Sequence, residues 1–431
     1  MTSDPRHAHV TGCDEYRDWS RRGFLRGAAL TAAATFAGPA LLPRVLQAGA
    51  PRGAGRDVFV YILLRGGIDG LSTVVPYTDG DLYAARPNLA IAPPGQTDGA
   101  LDLDGFFGLN PVAAPLLGSY SAGRLAFVHA AGSPDPSRSH FDAFQKMELG
   151  IPAQPLTAAS EGWMARHLMV TPPLTADALR CMAVQEVLPV GLTGAPRTLP
   201  VPDLSDYAFP GDPLTAAARR ATLEAMYGGL PAPLGSAALD TLATIDLLAT
   251  VDVASYVPTA GASYPATDLG LGLQQCAALI KADVGVEVLM LELNGFDHHA
   301  TQGPLDGDLA GLLDDLARSL AAFDVDMGPG MDGVTLAAHS EFGRRVAENA
   351  SLGTDHGHGG LMLVMGGAHV LGGQVHGAWP GLDAASLDNG DLAVTTDYRD
   401  VLGEILAKRL QDVDLPTVFP GHTVSFPGVL A

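Results

Sequence analysis

Four apolar runs of strand length, each ended abruptly by a polar cluster, constrain the fold more than any other feature of this chain. Val58-Phe59-Val60-Tyr61-Ile62-Leu63-Leu64 stops at Arg65-Gly66-Gly67-Ile68-Asp69-Gly70. Leu125 to His129 is followed, from Gly132, by Ser133-Pro134-Asp135-Pro136-Ser137-Arg138-Ser139-His140. Val286 to Leu293 runs into Asn294-Gly295-Phe296-Asp297-His298-His299, and Val334 to Ala338 delivers His339-Ser340-Glu341-Phe342-Gly343-Arg344-Arg345. A short continuous apolar run reads as a strand covered on both faces, the habit of parallel sheets. Between the third and fourth runs, Leu305, Leu309, Leu312, Leu313, Leu316, Leu320 and Phe323 recur by threes and fours, which predicts an amphipathic helix. Strand–helix–strand is a right-handed crossover between parallel strands, and in open α/β sheets ligands bind beyond the carboxyl ends of the strands. The expectation is an α/β fold whose four polar clusters meet at one edge.

One further stretch carries the densest chemistry: Gly353-Thr354-Asp355-His356-Gly357-His358-Gly359-Gly360. Its glycines allow tight turns, and Asp and His are ligands that divalent Zn, Mn or Fe accept. With the Asp297/His299 knot upstream, it predicts a metal site built from several loops; the alternative is a pair of polar turns. In an extended backbone neighbouring side chains point apart, so His298 is expected to be the less buried of the two adjacent histidines. Leu361 to Met365 reads as another buried strand, His376 follows in Gly372-Gly373-Gln374-Val375-His376-Gly377, and Val401, Ile405 and Leu406 mark a terminal helix. Residues 150 to 270 are rich in Pro, Ala and Leu, with a strand-like run near Met182 to Gln185 and a helical stretch from Thr215 to Tyr227. They read as a helical insertion within one domain spanning 51–431, packing over the site or a neighbouring subunit. His129, His369 and His422 read as surface or satisfied core residues.

The first fifty residues are a different object. Ser20-Arg21-Arg22-Gly23-Phe24-Leu25-Arg26 precedes an alanine-rich apolar run, Gly27 to Leu42, and then Leu46-Gln47-Ala48-Gly49-Ala50. Paired arginines, a modest apolar region and small-residue cleavage options make a twin-arginine export signal. The run is interrupted by glycines and ends at prolines, so it spans a bilayer poorly, and no stable membrane span is expected after cleavage. The expected partners are the twin-arginine machinery and a small anionic substrate, in a periplasmic or extracellular location. Removing residues 1–48 takes away six Lys or Arg and four Asp or Glu, leaving a net charge of about −24 with neutral histidines. Such a field repels phosphate backbones and argues against nucleic-acid binding. Cys181 and Cys276 remain, either as one disulfide or as separate buried thiols.

Taken in order, Arg65-Gly66-Gly67-x-Asp69-Gly70, Ser137-Arg138-Ser139-His140, Gly295-Phe296-Asp297-x-His299-x-x-Gln302, Ser340-Glu341-Phe342-Gly343-Arg344 and Gly353-Thr354-Asp355-His356-Gly357 resemble the bacterial domain-of-unknown-function family numbered 1501. The resemblance covers about residues 57–415, and the twin-arginine leader is typical of that family. The family is grouped with the alkaline phosphatase and sulfatase superfamily, which implies a mixed, largely parallel sheet flanked by helices and often two metals. The resemblance implies Asp69 as a first-strand metal ligand, Asp355 and His356 as an Asp-His pair, and Asp297 and His299 as a further element. There the chain departs from phosphatases, which space Asp and His four apart. His376 is a last ligand on position alone, and the implied cofactors are divalent ions such as Zn or Mn.

Superfamily members use Ser, Thr or a modified Cys near a helix start as nucleophile, activated by metal. Ser137 and Ser139 occupy such a loop, and Arg138 or Arg65 offers bidentate hydrogen bonds to an anion. Ser139 reads equally as a helix N-cap with Asp142 at the capping-box position, and Glu341 with Arg344 as a local ion pair. Two functions follow: a metal-dependent phosphate- or sulfate-ester hydrolase, or a non-catalytic, metal-stabilised structural or secretion-associated protein.

Overall fold

β-Branched and aromatic side chains favour extended backbone, and Val58–Arg65 forms β1 with every residue buried. The computed structural model describes residues 56–431 except 153, 175–178, 205, 206, 208, 232, 233, 252 and 413. The twin-arginine segment lies outside the described residues. Eight more strands join β1 in one sheet: β2 (Leu125–Gly132), β3 (Cys181–Ala183), β4 (Thr198–Pro200), β5 (Val288–Asn294), β6 (Val334–His339), β7 (Gly360–Gly366), β8 (Val375–His376) and β9 (Thr396–Asp397). Their order is β8-β2-β7-β6-β1-β5-β3-β4, with β9 also beside β2. Every pairing is parallel except the two made by β7, which runs against β2 and β6. In register, Ile62 of β1 sits between Leu291 and Ala338.

The longer helices are α1 (His140–Glu148), α2 (Trp163–Val170), α3 (Ala216–Tyr227), α4 (Leu234–Ala249), α5 (Asp268–Ala282), α6 (Asp308–Met327) and α7 (Tyr398–Arg409). The sheet separates two cores, and β1 feeds both by alternation. Val58, Val60, Ile62 and Leu64 share a core with α5 and α6, while Phe59, Tyr61 and Leu63 share one with α2 and α7. On α6, Leu309, Leu313, Leu316, Leu320 and Phe323 of the expected stripe are buried, and Leu312 is half-buried against the same core. Each such side chain contributes about 1.5–3 kcal/mol of burial, so packing holds this crossover more than helix propensity does. Leu305 precedes the helix and packs in a separate small cluster with Leu71 and Ile91. The terminal helix buries Val401, Ile405 and Leu406.

In the middle of the chain, Cys181–Ala183 adds β3 beside β5, and α5 brings Cys276 into the core. Both cysteines are free and buried, and burial pushes both thiols up. Leu234–Ser255 is long and apolar enough to cross a membrane by length and composition alone. Within it Leu242 and Leu248 are buried, and Asp246 pairs with Arg220 of α3.

Candidate metal centre

Strands β1, β2, β5 and β6 end at one edge of the sheet, and the reversed β7 starts there. The loops 66–69, 133–139, 295–302, 340–344 and 353–359 therefore lie along the same edge. Gly66 lets the first of these touch the third: its φ is +112°, and a Cβ there would lie 2.6 Å from the Asp297 amide nitrogen. Gly357 admits the last, because a Cβ there would lie 2.3 Å from the Arg344 carbonyl carbon, beside the bridge that pairs Arg344 with His356.

Asp297, only 7% exposed, is the focus of these loops. Its Oδ1 lies 3.0 Å from His356 Nε2, 3.1 Å from His299 Nε2, 3.4 Å from His140 Nε2 and 2.8 Å from the Arg344 guanidinium. The Nε2 atoms of His299 and His356 are 2.9 Å apart. All three rings are turned the same way. His140 Nδ1 faces Glu341 Oε1 at 2.5 Å, His299 Nδ1 faces Asp355 Oδ1 at 2.9 Å, and His356 Nδ1 faces the Arg138 carbonyl at 2.7 Å. Each Nδ1 therefore donates to its carboxylate or carbonyl. Each Nε2 faces the Asp297 carboxylate in turn, as an N–H donor when the ring is protonated or as a lone pair when a cation lies between them.

Lone pairs and a carboxylate oxygen at these distances repel one another unless protons or a cation lie among them. Imidazoles fixed through one nitrogen by an acceptor, with the other presented to a shared point, are the habit of metal-bound histidines. Zinc–nitrogen bonds of about 2.0–2.1 Å give tetrahedral edges of about 3.3–3.4 Å; the contacts to Asp297 Oδ1 and between His299 and His356 run from 2.9 to 3.4 Å, and the ligand atoms of His140, Asp297 and His356 lie within 4.8 Å of one another. His140 Nε2 is in addition buried without a hydrogen-bond partner. The donor set fits a divalent ion.

The titration of the group follows from the same contacts. Burial pulls the His140 pKa down, but Asp297 and Glu341 outweigh it and raise it to about 9. Asp297 holds His299 up, against burial and with help from Asp355. Burial would raise the Asp297 carboxyl, yet the three imidazoles and Arg344 hold it far below the usual range. His299 keeps Asp355 low as well.

Around this centre lies a rigid clasp. Glu341 accepts from the Gly66 and Gly67 amides at 3.1 and 3.2 Å, besides His140. Arg344 donates to the carbonyls of Gly67, Phe296 and Thr354 at 2.8, 2.8 and 3.0 Å. The two residues thus serve separate partners and do not form the local ion pair expected from the sequence. Thr354 donates its backbone N–H to His298, and His298 is 8% exposed whereas His299 is 32% exposed on its side chain. The expected order of burial is reversed, because Gly295 with φ +117° starts an irregular turn in which strand alternation does not apply.

Of the residues read from the sequence, Asp297, His299, Asp355 and His356 come together, with Asp355 on the outer nitrogen of His299 rather than against Asp297's cluster. Asp69 bonds to Arg86 at 2.5 Å, Ser72 at 2.8 Å and Gln302 at 2.6 Å, and to none of the histidines. His376 sits on β8 and faces the Leu371 carbonyl at 2.8 Å. Arg65 is buried between Glu148 and Glu292, and Arg138 is held by Asp391. Ser137 Oγ accepts from the Ser139 amide at 3.3 Å, and the Ser139 side chain caps no helix amide although it occupies the N-cap of α1. The sequence reading did not single out His140 as part of the cluster; its signal was its place beyond the carboxyl end of β2. His129, His369 and His422 all have partners.

Residues 95–414 match the profile of a family described as protein of unknown function (DUF1501). No curated protein matches the chain. Among solved structures, the fold is similar to a sulfatase from Pseudoalteromonas sp., with 10% identity, a TM-score of 0.40, and coverage of 87% of this chain and 72% of that one. A protein in the alkaline phosphatase superfamily from Vibrio parahaemolyticus is similar at 11% identity and a TM-score of 0.33, covering 80% and 69%. The C-terminal periplasmic domain of an Escherichia coli protein, EptC, solved in complex with Zn, is similar at 10% identity and a TM-score of 0.32, covering 74% and 75%.

Proposed function

Since the chain belongs to the DUF1501 family, whose description assigns no activity, we propose from the site itself that it is an exported, metal-dependent hydrolase of a phosphate or sulfate ester. The observation that supports this reading is the convergence of imidazole Nε2 atoms on Asp297 Oδ1, with His299 partly exposed to solvent. Asp297, His299 and His356 would hold the ion, with Asp355 orienting His299 through Nδ1. A divalent ion held there would polarise an ester oxygen and lower the pKa of a coordinated water. Ser137 and Ser139 stand in the loop before α1 as the candidate nucleophiles. The test is turnover of a panel of phosphate and sulfate monoesters by the zinc- or manganese-loaded protein, with Asp297→Asn as control. Turnover that needs the ion and is lost in the control supports the hydrolase; no turnover across the panel with metal bound rejects it.

The non-catalytic reading keeps one specific observation in its favour. Arg65 and Arg138, the cations nominated to hold an anion, are already paired with carboxylates. Export is tested separately: residues 1–50 fused to a reporter should direct it out of the cytoplasm, and Arg21→Lys with Arg22→Lys should trap it.

A further inference from the structure

His140 begins α1 with its side chain 3% exposed, and its buried Nε2 faces Asp297 Oδ1 at 3.4 Å without a well-formed hydrogen bond. Its ring has no freedom to find another partner. Nδ1 is fixed on Glu341, the Phe342 ring lies 4.8 Å away between centroids, Phe144 stacks at 6.2 Å, and the His356 ring stands edge-on at 4.3 Å. The ligand atoms of His140, Asp297 and His356 all lie within 4.8 Å of one another. We infer that His140 is a ligand of a single ion shared with Asp297 and His356, and that this imidazole-rich set selects a zinc-class ion over Mg2+ or Ca2+. The inference rests on the metal-centre reading above.

The selectivity follows from the donors. Mg2+ and Ca2+ require six or more oxygens, whereas imidazole suits Zn2+ and its late first-row neighbours. Among the described residues, one carboxylate, Asp297, belongs to the group at the shared point. Glu341 is committed to His140 and the Gly66 and Gly67 amides, and Asp355 to His299 and Asn349. Glu341 is therefore a positioning residue for His140, as Asp355 is for His299. His140 approaches from the buried side and His299 from the half-exposed side, with His356 between them.

Calorimetric titration of the chelator-stripped full chain with Zn2+, alone and with excess Mg2+, tests this. One zinc per chain is expected, undisturbed by Mg2+, with affinity lowered more than about 100-fold in His140→Ala. Because that variant removes one of the partners of the buried Glu341 and can lose its fold, a second measurement uses the unaltered protein. In 15N-histidine protein loaded with 113Cd2+, the His140 Nε2 resonance should show coupling to the metal. Zinc affinity within threefold of wild type in folded His140→Ala, absent coupling at His140, or displacement by Mg2+ each overturns the inference. Neither measurement reads turnover. Zinc held through His140 in a protein that cleaves no ester defeats only the hydrolase reading, and a zinc-dependent hydrolase indifferent to His140 defeats only this inference.

Discussion

Asp69 and Asp297 are both buried aspartates in polar turns just beyond parallel strands, at one edge of one sheet, yet they are neutralised in opposite ways. Asp69 is provided with its own cation. Arg86 reaches Oδ2 at 2.5 Å, joined by Ser72 and Gln302, and outweighs the burial that would raise the carboxyl's pKa. Around Asp297 the one guanidinium, Arg344, is spread over four backbone carbonyls, and three imidazoles press against the same oxygen. Imidazoles carry charge only when protonated, or supply lone pairs to a cation. A buried carboxylate neutralised by its own guanidinium fits a structural role, and one faced by oriented imidazoles fits the proposed ligand role. Gln302 ties the two regions together: it donates to Asp69 and accepts from Thr354, whose carbonyl holds Arg344.

The largest expected difference comes from Asp69→Ala. It leaves the Arg86 charge buried and unpaired, and should lower unfolding stability by about 3–5 kcal/mol in denaturant titration. Zinc affinity of the folded protein should stay within about threefold of wild type. Loss of zinc binding with the fold intact would join both aspartates into one site and break the comparison.

Next in size is a pH effect on the Asp69 side. His129 Nδ1 accepts from the Ala130 amide and Nε2 faces the Val74 carbonyl, both at 2.9 Å, so the neutral ring is fully satisfied. Burial lowers its pKa from 6.5 to about 4. The unfolded chain binds this proton first as pH falls, so the stability contribution is complete above about pH 6.5 and is lost towards pH 4, by up to about 3 kcal/mol. Urea midpoints from pH 7 to 4 should show this slope in wild type and a shallower one in His129→Gln; identical slopes would remove His129 as the cause.

Smaller effects sharpen the Asp297 side. Asp355→Asn removes the carboxylate behind His299 and should weaken zinc binding about 10–100-fold, without abolishing it. An unchanged affinity would mean that His299 is not a ligand. Smallest of all is His376→Ala, expected to leave zinc affinity unaltered and stability within about 0.5 kcal/mol; a large loss of zinc would bring β8 into the site.

Six of the sheet's nine strands were legible because their apolar runs are continuous, which is what burial on both faces demands, whereas the short β4, β8 and β9 carry no such run. The convergence of loops was legible too, since parallel strands put their carboxyl ends on one edge. The pairing of Asp69 was not, because Arg86 lies seventeen residues downstream in a segment with no motif of its own. His140 was hidden for a different reason. Its Ser-Arg-Ser-His setting draws attention to hydroxyl nucleophiles, and only the three-dimensional placement of Glu341 behind its ring shows which nitrogen faces inward. The order of His298 and His299 failed on local backbone: alternation needs extended residues, and a left-handed glycine precedes them.

Whether Asp297 and its histidines hold an ion is tested most directly by melting the chelator-stripped full chain across a zinc titration. An ion bound only by the folded protein raises stability by about 2.7 kcal/mol when free zinc reaches 100 times its dissociation constant. The expected result is a melting midpoint that climbs with zinc to match one ion per chain, and does not climb in His299→Ala with His356→Ala. A wild-type midpoint that zinc leaves unmoved, with no ion retained, would contradict the metal centre.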